Sequence, residues 1–243
     1  MASMAGTVDL LGIPVSRLTV SQLAEKIHDL VVNKQKTIVS PINANCVNIA
    51  LRDAEYMGIL NSADIVYADG VSVVWAARLL GDSLLERIPS ADLLPELCKI
   101  AVRKRYKLYF LGSEPGIARK AAQDLLKRFP GLWIVGWNKG YFKECEELSI
   151  IHKINTMKPD ILFVGMGTPK QEKWIKQPIE ERAASVIIPC GGLFDLYSGK
   201  IKRAPIWMRG LGFEWLYRLF SEPKRLWRRY LIGNWVFIFN VLR

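Results

Sequence analysis

Residues 66–75 read VYADGVSVVW. The stretch joins two apolar runs of different kinds. Ile65, Val66, Tyr67 and Ala68 are apolar without alternation, as in a strand covered on both faces. That run stops at Asp69 and Gly70. A second run, 71–80, has helix length and begins at once. A strand that turns directly into a helix is half of a βαβ unit and calls for a parallel neighbour.

Working outward, the same order repeats. Helical patterns cover 20–33, 44–61 with a break near Arg52 and Asp53, 91–104, the residues from the turn 112–116 to Phe129, 144–157 and 170–182. Strand patterns cover 37–40, 64–68, 107–111, 132–136, 160–164 and 184–189, and a short helical turn follows Gly191 and Gly192. The strands are continuous apolar runs. The expected fold class is therefore α/β: a Rossmann-like, open doubly wound, mainly parallel sheet. Residues 1–6 (MASMAG) read as a leader, 7–203 as the α/β domain and 204–243 as a basic, aromatic helical appendage.

Composition separates that appendage from the rest. The chain has 243 residues, half of them hydrophobic, and a formal net charge of +11. From Lys200 onward ten Lys and Arg face two acids, so +8 of the +11 lies there. Such a concentration points to a polyanion: phosphate, anionic lipid or nucleic acid. Trp207, Trp215, Trp227 and Trp235 interleave with these cations. Leu211, Trp215 and Leu219 are spaced to share one helical face, and Pro223 should break the segment. A basic amphipathic segment of this kind suits a membrane interface. The longest apolar stretch, 231–242, holds Asn234 and Asn240 and falls short of the roughly 20 residues of a span.

Cys46, Cys98, Cys145 and Cys190 are scattered without a C-x-x-C, which argues against zinc and for buried thiols. His28 and His152 fall in helical patterns, so a catalytic histidine is not expected. No signal peptide is visible, and the chain reads as cytoplasmic.

Ligands of an open parallel sheet bind beyond the carboxyl ends of its strands. The residues there are Asn43 and Asn45; Asp69 and Gly70; Gly112 and Ser113; Gly165, Gly167, Thr168, Lys170 and Gln171; and Gly191, Gly192 and Asp195. Several glycine turns on one rim suggest a nucleotide-type pocket, with backbone N–H groups and helix N-termini near a pyrophosphate. None is a G-x-G-x-x-G or Walker A loop. Asp69 has two readings: an N-cap for the helix that follows it, or a general base at a sugar-nucleotide pocket. There is no D-x-D, the pair with which many glycosyltransferases hold a divalent metal; DAE (53–55) is the nearest. No metal and no covalent intermediate are expected, and a departing diphosphate would need Arg, Lys or helix dipoles.

INAN (42–45), YADGVSVV (67–74), ERIPSADL (86–93), GMGTPKQEKW (165–174), GGLFD (191–195), GKIKRAP (199–205) and EWLYRLFSEPKR (214–225) occur in that order. Together they resemble the WecG/TagA/CpsF glycosyltransferases over about 8–229. The resemblance implies a bacterial, membrane-associated enzyme of surface glycan synthesis that is inverting and metal-independent and needs no cofactor. It implies transfer of a hexose, typically N-acetylmannosamine, from a UDP-sugar to a lipid-linked diphosphate acceptor. In teichoic acid synthesis that acceptor is GlcNAc-diphosphoundecaprenol. By motif, Asp69 matches the general base, Arg87 an active-site arginine, and Asn43 and Gln171 polar residues of the sugar pocket. Arg218, Arg225 and Arg228 match tail arginines that meet lipid diphosphate or leaving UDP. The resemblance places the protein peripherally on the cytoplasmic side of the membrane, at an anionic surface. One position departs: many members carry Thr where this chain has Pro41, so that contact is lost or moves to Ser40, and the donor hexose can differ.

Other readings stay open. The basic tail suits a nucleic-acid-binding module, although the rim residues then have no task and no nucleic-acid partner is expected. A nicotinamide-dependent oxidoreductase would need the missing glycine fingerprint. The tail's Trp and Leu also suit a homo-oligomer interface.

Overall fold

The structure, a computed structural model, describes residues 6–176 and 183–243. The leader reading falls on residues outside the described ones, apart from Gly6, whose carbonyl accepts a hydrogen bond from Arg17 N–H.

The chain opens with an antiparallel hairpin, β1 (Thr7–Leu10) and β2 (Ile13–Ser16). Sequence reading missed it. Its signal is the alternation of Val8, Leu10, Ile13 and Val15, all buried, about a two-residue turn. Leu11 and Gly12 both have positive φ (55° and 84°), the twist a two-residue hairpin turn requires.

Six parallel strands follow: β3 (Thr37–Ile42), β4 (Ile65–Ala68), β5 (Lys107–Gly112), β6 (Trp133–Asn138), β7 (Ile161–Gly165) and β8 (Val186–Pro189). They lie in the order β4-β3-β8-β7-β5-β6, every pair parallel. This is the expected doubly wound sheet. Side chains of one strand feed both faces. Leu108 and Phe110 enter a core with α1 (Val20–Val32), α5 (Ser90–Lys104), α6 (Ile117–Arg128) and α9 (Leu193–Tyr197). Tyr109 and Leu111 enter the opposite core with α7 (Glu144–Met157) and α8 (Lys170–Lys176). The expected helix 170–182 is described only as far as Lys176.

The expected helix 44–61 is two, α2 (Ala44–Ala50) and α3 (Ala54–Asn61), with Asp53 Oδ1 accepting Tyr56 N–H to cap the second. α5 tolerates Pro95 in its interior. Pro95 has no N–H for the Ala91 carbonyl, and the Tyr197 hydroxyl takes that carbonyl instead, at 2.8 Å.

The tail folds as α10 (Ile206–Gly210), α11 (Glu214–Ser221), α12 (Pro223–Trp227), a π-helical turn (Arg228–Ile232) and α13 (Gly233–Leu242). Leu211 does not share a helix with Trp215 and Leu219, because the chain breaks at Gly212 (φ 80°). Pro223 opens α12, as expected. α13 returns to the core: Phe237 and Val241 are buried with the hairpin, α2 and α4 (Val71–Leu79), and Asn48 Nδ2 donates to the Gly233 carbonyl at 2.7 Å.

At the carboxyl ends of β5, β7 and β8 the backbones close up. A Cβ on Gly112 would lie 2.5 Å from the Gly165 carbonyl oxygen, and one on Gly165 would lie 2.6 Å from that of Gly191. Glycine is needed here for close approach rather than for its dihedral freedom. Gly165→Ala should destabilise the protein by about 2–3 kcal/mol through overpacking against backbone. Urea denaturation measures this, and a loss below about 0.5 kcal/mol would show that the strand ends can part freely.

Candidate active site

Asp69 directly follows β4 and is not the N-cap of α4. That cap is Gly70, which makes no side-chain hydrogen bond. Instead Asp69 Oδ1 accepts the Ser90 backbone N–H (2.7 Å) and the Ser90 hydroxyl (3.0 Å), capping α5 from a distant part of the chain. The buried Tyr67 hydroxyl supports Ser90 Oγ at 3.1 Å. The carboxylate is thus oriented through one oxygen, and Oδ2 takes no hydrogen bond among the described residues. Gly70 permits this geometry, since a Cβ there would lie 2.8 Å from Asn43 Cβ.

Two cavities meet at Asp69. A polar one of about 420 Å³ lies over the strand ends and is lined by Asn43, Asn45, Ser113, Gly165, Gln171, Gly191, Gly192 and Asp195, with Arg218 and Arg225 from the tail. An apolar one of about 450 Å³ lies between α4 and the tail and includes Gly70, Trp75, Arg87, Trp215, Phe237 and Ile238. Asn43, Asn45, Asp69, Glu214, Arg218 and Arg229 line both.

Gln171 is buried and its amide is spent within the protein. Oε1 accepts N–H groups of Met166 (3.3 Å), Gly167 (3.2 Å) and Gly191 (3.1 Å), and Nε2 donates to Glu172 (2.8 Å). It stitches the loop after β7 to the loop after β8. At three positions this corrects the expectation that the glycine turns offer their N–H groups to a pyrophosphate: Gly167 and Gly191 give theirs to Gln171, and Ser113 gives its own to Gly165. The arginines that line the polar cavity, Arg218, Arg225 and Arg229, all come from the tail.

Arg218 is half-buried. Burial alone would lower its guanidinium, yet Tyr230, Glu214 and Asp69 hold it above its ordinary value, so it remains a cation. Arg87 pairs with Glu214 at 2.8 Å, and Arg203 pairs with Asp92 at 2.7 Å. These half-buried pairs tie α11 and the strand-free segment before α10 to the start of α5.

The sequence-based residues divide accordingly. Gly112 lies beneath the floor without lining either cavity. Lys170 lies outside both, over the rings of Tyr141 (5.9 Å) and Phe142 (6.0 Å). Arg228 is also outside, exposed and stacked on Trp227 at 5.2 Å. Its neighbour Arg229 faces the site, with Nη2 donating to Asn43 Oδ1 at 3.1 Å. Adjacent residues of a helical turn point roughly 100° apart, so only one of the pair can face inward. Pro41 lines the polar cavity, whereas Ser40 is buried with no partner for its hydroxyl among the described residues. Neighbours in a strand face opposite ways, so the contact does not pass to Ser40.

Other chemistry is limited by burial. Cys46 and Cys190 touch the polar cavity, but burial pushes the Cys46 thiol up to about 11 and raises that of Cys190, so neither is a thiolate at neutral pH. His28 and His152 lie in α1 and α7, outside both cavities. Among the described residues no group of three His, Cys, Asp or Glu is placed to hold a metal. Sequence reading missed Ser90, Glu214 and Arg229. Glu214 and Arg229 lie within or beside the tail motif, and Ser90 follows the ERIP turn.

The model of the Glycosyl transferase WecG/TagA/CpsF family matches residues 8–243. Among relatives, the N-acetylglucosaminyldiphosphoundecaprenol N-acetyl-beta-D-mannosaminyltransferases of Staphylococcus aureus strains MW2 and MRSA252 are each 33% identical over 228 residues. The match covers 93% of this chain and 89% of each relative.

Glu172, below the polar cavity, has a raised pKa because of burial, which the hydrogen bonds from Gln171 and Thr168 only partly offset. A carboxyl with a raised folded value holds a proton that the unfolded chain releases. Its contribution is therefore fully present below about pH 4.5 and is lost as pH rises through the folded value. Glu172→Gln should flatten this part of the stability profile and leave the protein more stable than wild type at pH 7. Thermal melts across pH 4–8 test this, and a variant that parallels wild type throughout would refute it.

Proposed function

The chain belongs to the WecG/TagA/CpsF family of glycosyl transferases, and from that premise we propose that it moves N-acetylmannosamine from UDP to GlcNAc-diphosphoundecaprenol. We infer an inverting, metal-independent single displacement. The observation that carries the reading is Asp69: an oriented carboxylate with one unclaimed oxygen, at the junction of a polar and an apolar cavity.

The UDP-sugar takes the polar cavity. The acceptor hydroxyl approaches Asp69 Oδ2 and gives up its proton as its oxygen bonds to the anomeric carbon. The bond from that carbon to the diphosphate breaks, and the electron pair leaves with UDP. Arg218 and Arg225, which line the same cavity, meet the growing charge. Gln171 is a positioning residue that holds the cavity floor. Arg87 positions Glu214 and with it the tail.

Supporting the membrane placement are exposed Trp207, Phe220, Trp227, Trp235 and Phe239, set among the tail's cations. No described helix is long and apolar enough to cross a membrane, so the proposed contact is peripheral, at the cytoplasmic leaflet. Pro41 favours a second reading, transfer of a different UDP-hexose, since it lines the donor side without a hydroxyl.

Asp69→Asn keeps an acceptor for both Ser90 hydrogen bonds but removes the base. In the presence of EDTA, wild type should convert UDP-N-acetylmannosamine and the lipid acceptor to product. The variant should lose about 10²–10⁴-fold in kcat with unchanged UDP affinity. Turnover by the variant within a few-fold of wild type would remove Asp69 as the base.

A further inference from the structure

We propose that the apolar cleft between α4 and the tail holds the proximal isoprene units of the acceptor, so that the lipid is recognised inside the protein as well as left in the bilayer. This rests on the transferase reading above.

The cleft is built from two distant parts of the chain. Trp75 and Leu79 of α4 form one wall, and Phe237, Ile238 and Val241 of α13 form the other. Phe237 and Val241 are buried, which fixes that wall against α2 and α4. The inner end of the cleft is charged. Asp69, Arg218 and Arg229 stand where it opens into the polar cavity, and Arg229 Nε is buried with no acceptor among the described residues. The outer end is greasy: Trp75, Leu79 and Ile238 line the cleft and are each exposed at its mouth.

A ligand complementary to this shape has a sugar hydroxyl at one end, a diphosphate next, and a hydrocarbon chain after that. A polyprenyl diphosphate sugar has this order. With its hydroxyl at Asp69, its diphosphate falls beside Arg229, and its first apolar carbons enter the cleft. About 450 Å³ accommodates a few isoprene units and not a whole polyprenyl chain. The remainder leaves through the exposed mouth. Trp75 and Ile238 become specificity-determining residues for the lipid.

The test is calorimetric titration of the full-length protein with farnesyl diphosphate and, separately, inorganic diphosphate. Farnesyl diphosphate should bind at least thirtyfold more tightly. Trp75→Ala and Ile238→Asp, at partly exposed positions, should each cut that advantage at least tenfold with UDP affinity unchanged. Equal affinity of the two diphosphates for wild type, or variants that retain the full advantage, would overturn the proposal. A kinetic arm separates it from the reaction itself. Selective farnesyl diphosphate binding with no product from any UDP-hexose would sink the transferase reading and leave the cleft standing. Turnover with equal kcat/KM for farnesyl-linked and methyl-linked GlcNAc diphosphate would sink the cleft and leave the reaction standing.

Discussion

The site depends on how closely three strand ends can lie. Gly112 and Gly165 bring the ends of β5, β7 and β8 to a separation that no side chain at either position would fit. Gln171 then closes the gap from above, its one carbonyl oxygen accepting three N–H groups from two loops. Buried N–H groups without acceptors cost about 1–3 kcal/mol each, so this single amide does much to fix the cavity floor. A rigid floor in turn lets the opposite side of the site be supplied by something less regular.

That opposite side is the tail, and two kinds of force hold it. Half-buried ion pairs such as Arg87–Glu214 and Arg203–Asp92 contribute at most about 1 kcal/mol apiece when partly solvated. Full burial of an aliphatic or aromatic side chain contributes about 1.5–3 kcal/mol, and Leu226, Phe237 and Val241 are all buried. Apolar burial therefore decides that the tail docks, and the ion pairs decide in which orientation. The docked tail creates the apolar cleft and narrows the polar cavity, so both chambers share it as a wall. Asp69 stands where they join, oriented by Ser90 from the start of α5.

Much of the scaffold was legible because it is local. Continuous apolar runs separated by helical ones specify a parallel sheet wherever they fall, and VYADGVSVVW sets Asp69 at a strand end without reference to any other segment. The helix break at Asp53 and the interruption at Pro223 likewise follow from a capping side chain and a missing N–H. The β1–β2 hairpin was overlooked because Leu11 is an unusual residue for a turn that needs positive φ.

The sequence by itself determined the order of elements, the basic and aromatic tail, and the rim on which Asp69, Asn43, Gln171 and the glycines gather. Tertiary structure alone decided what each of them touches. Asp69 caps α5 rather than the helix it precedes, Gln171 turns inward, Arg229 replaces Arg228, and Ser40 faces away from the cavity that Pro41 lines. The physical reason is common to all four. Periodicity states which residues share a face, but a hydrogen-bond partner twenty or more residues away, or the angular setting of a docked helix, exists only once the elements have packed.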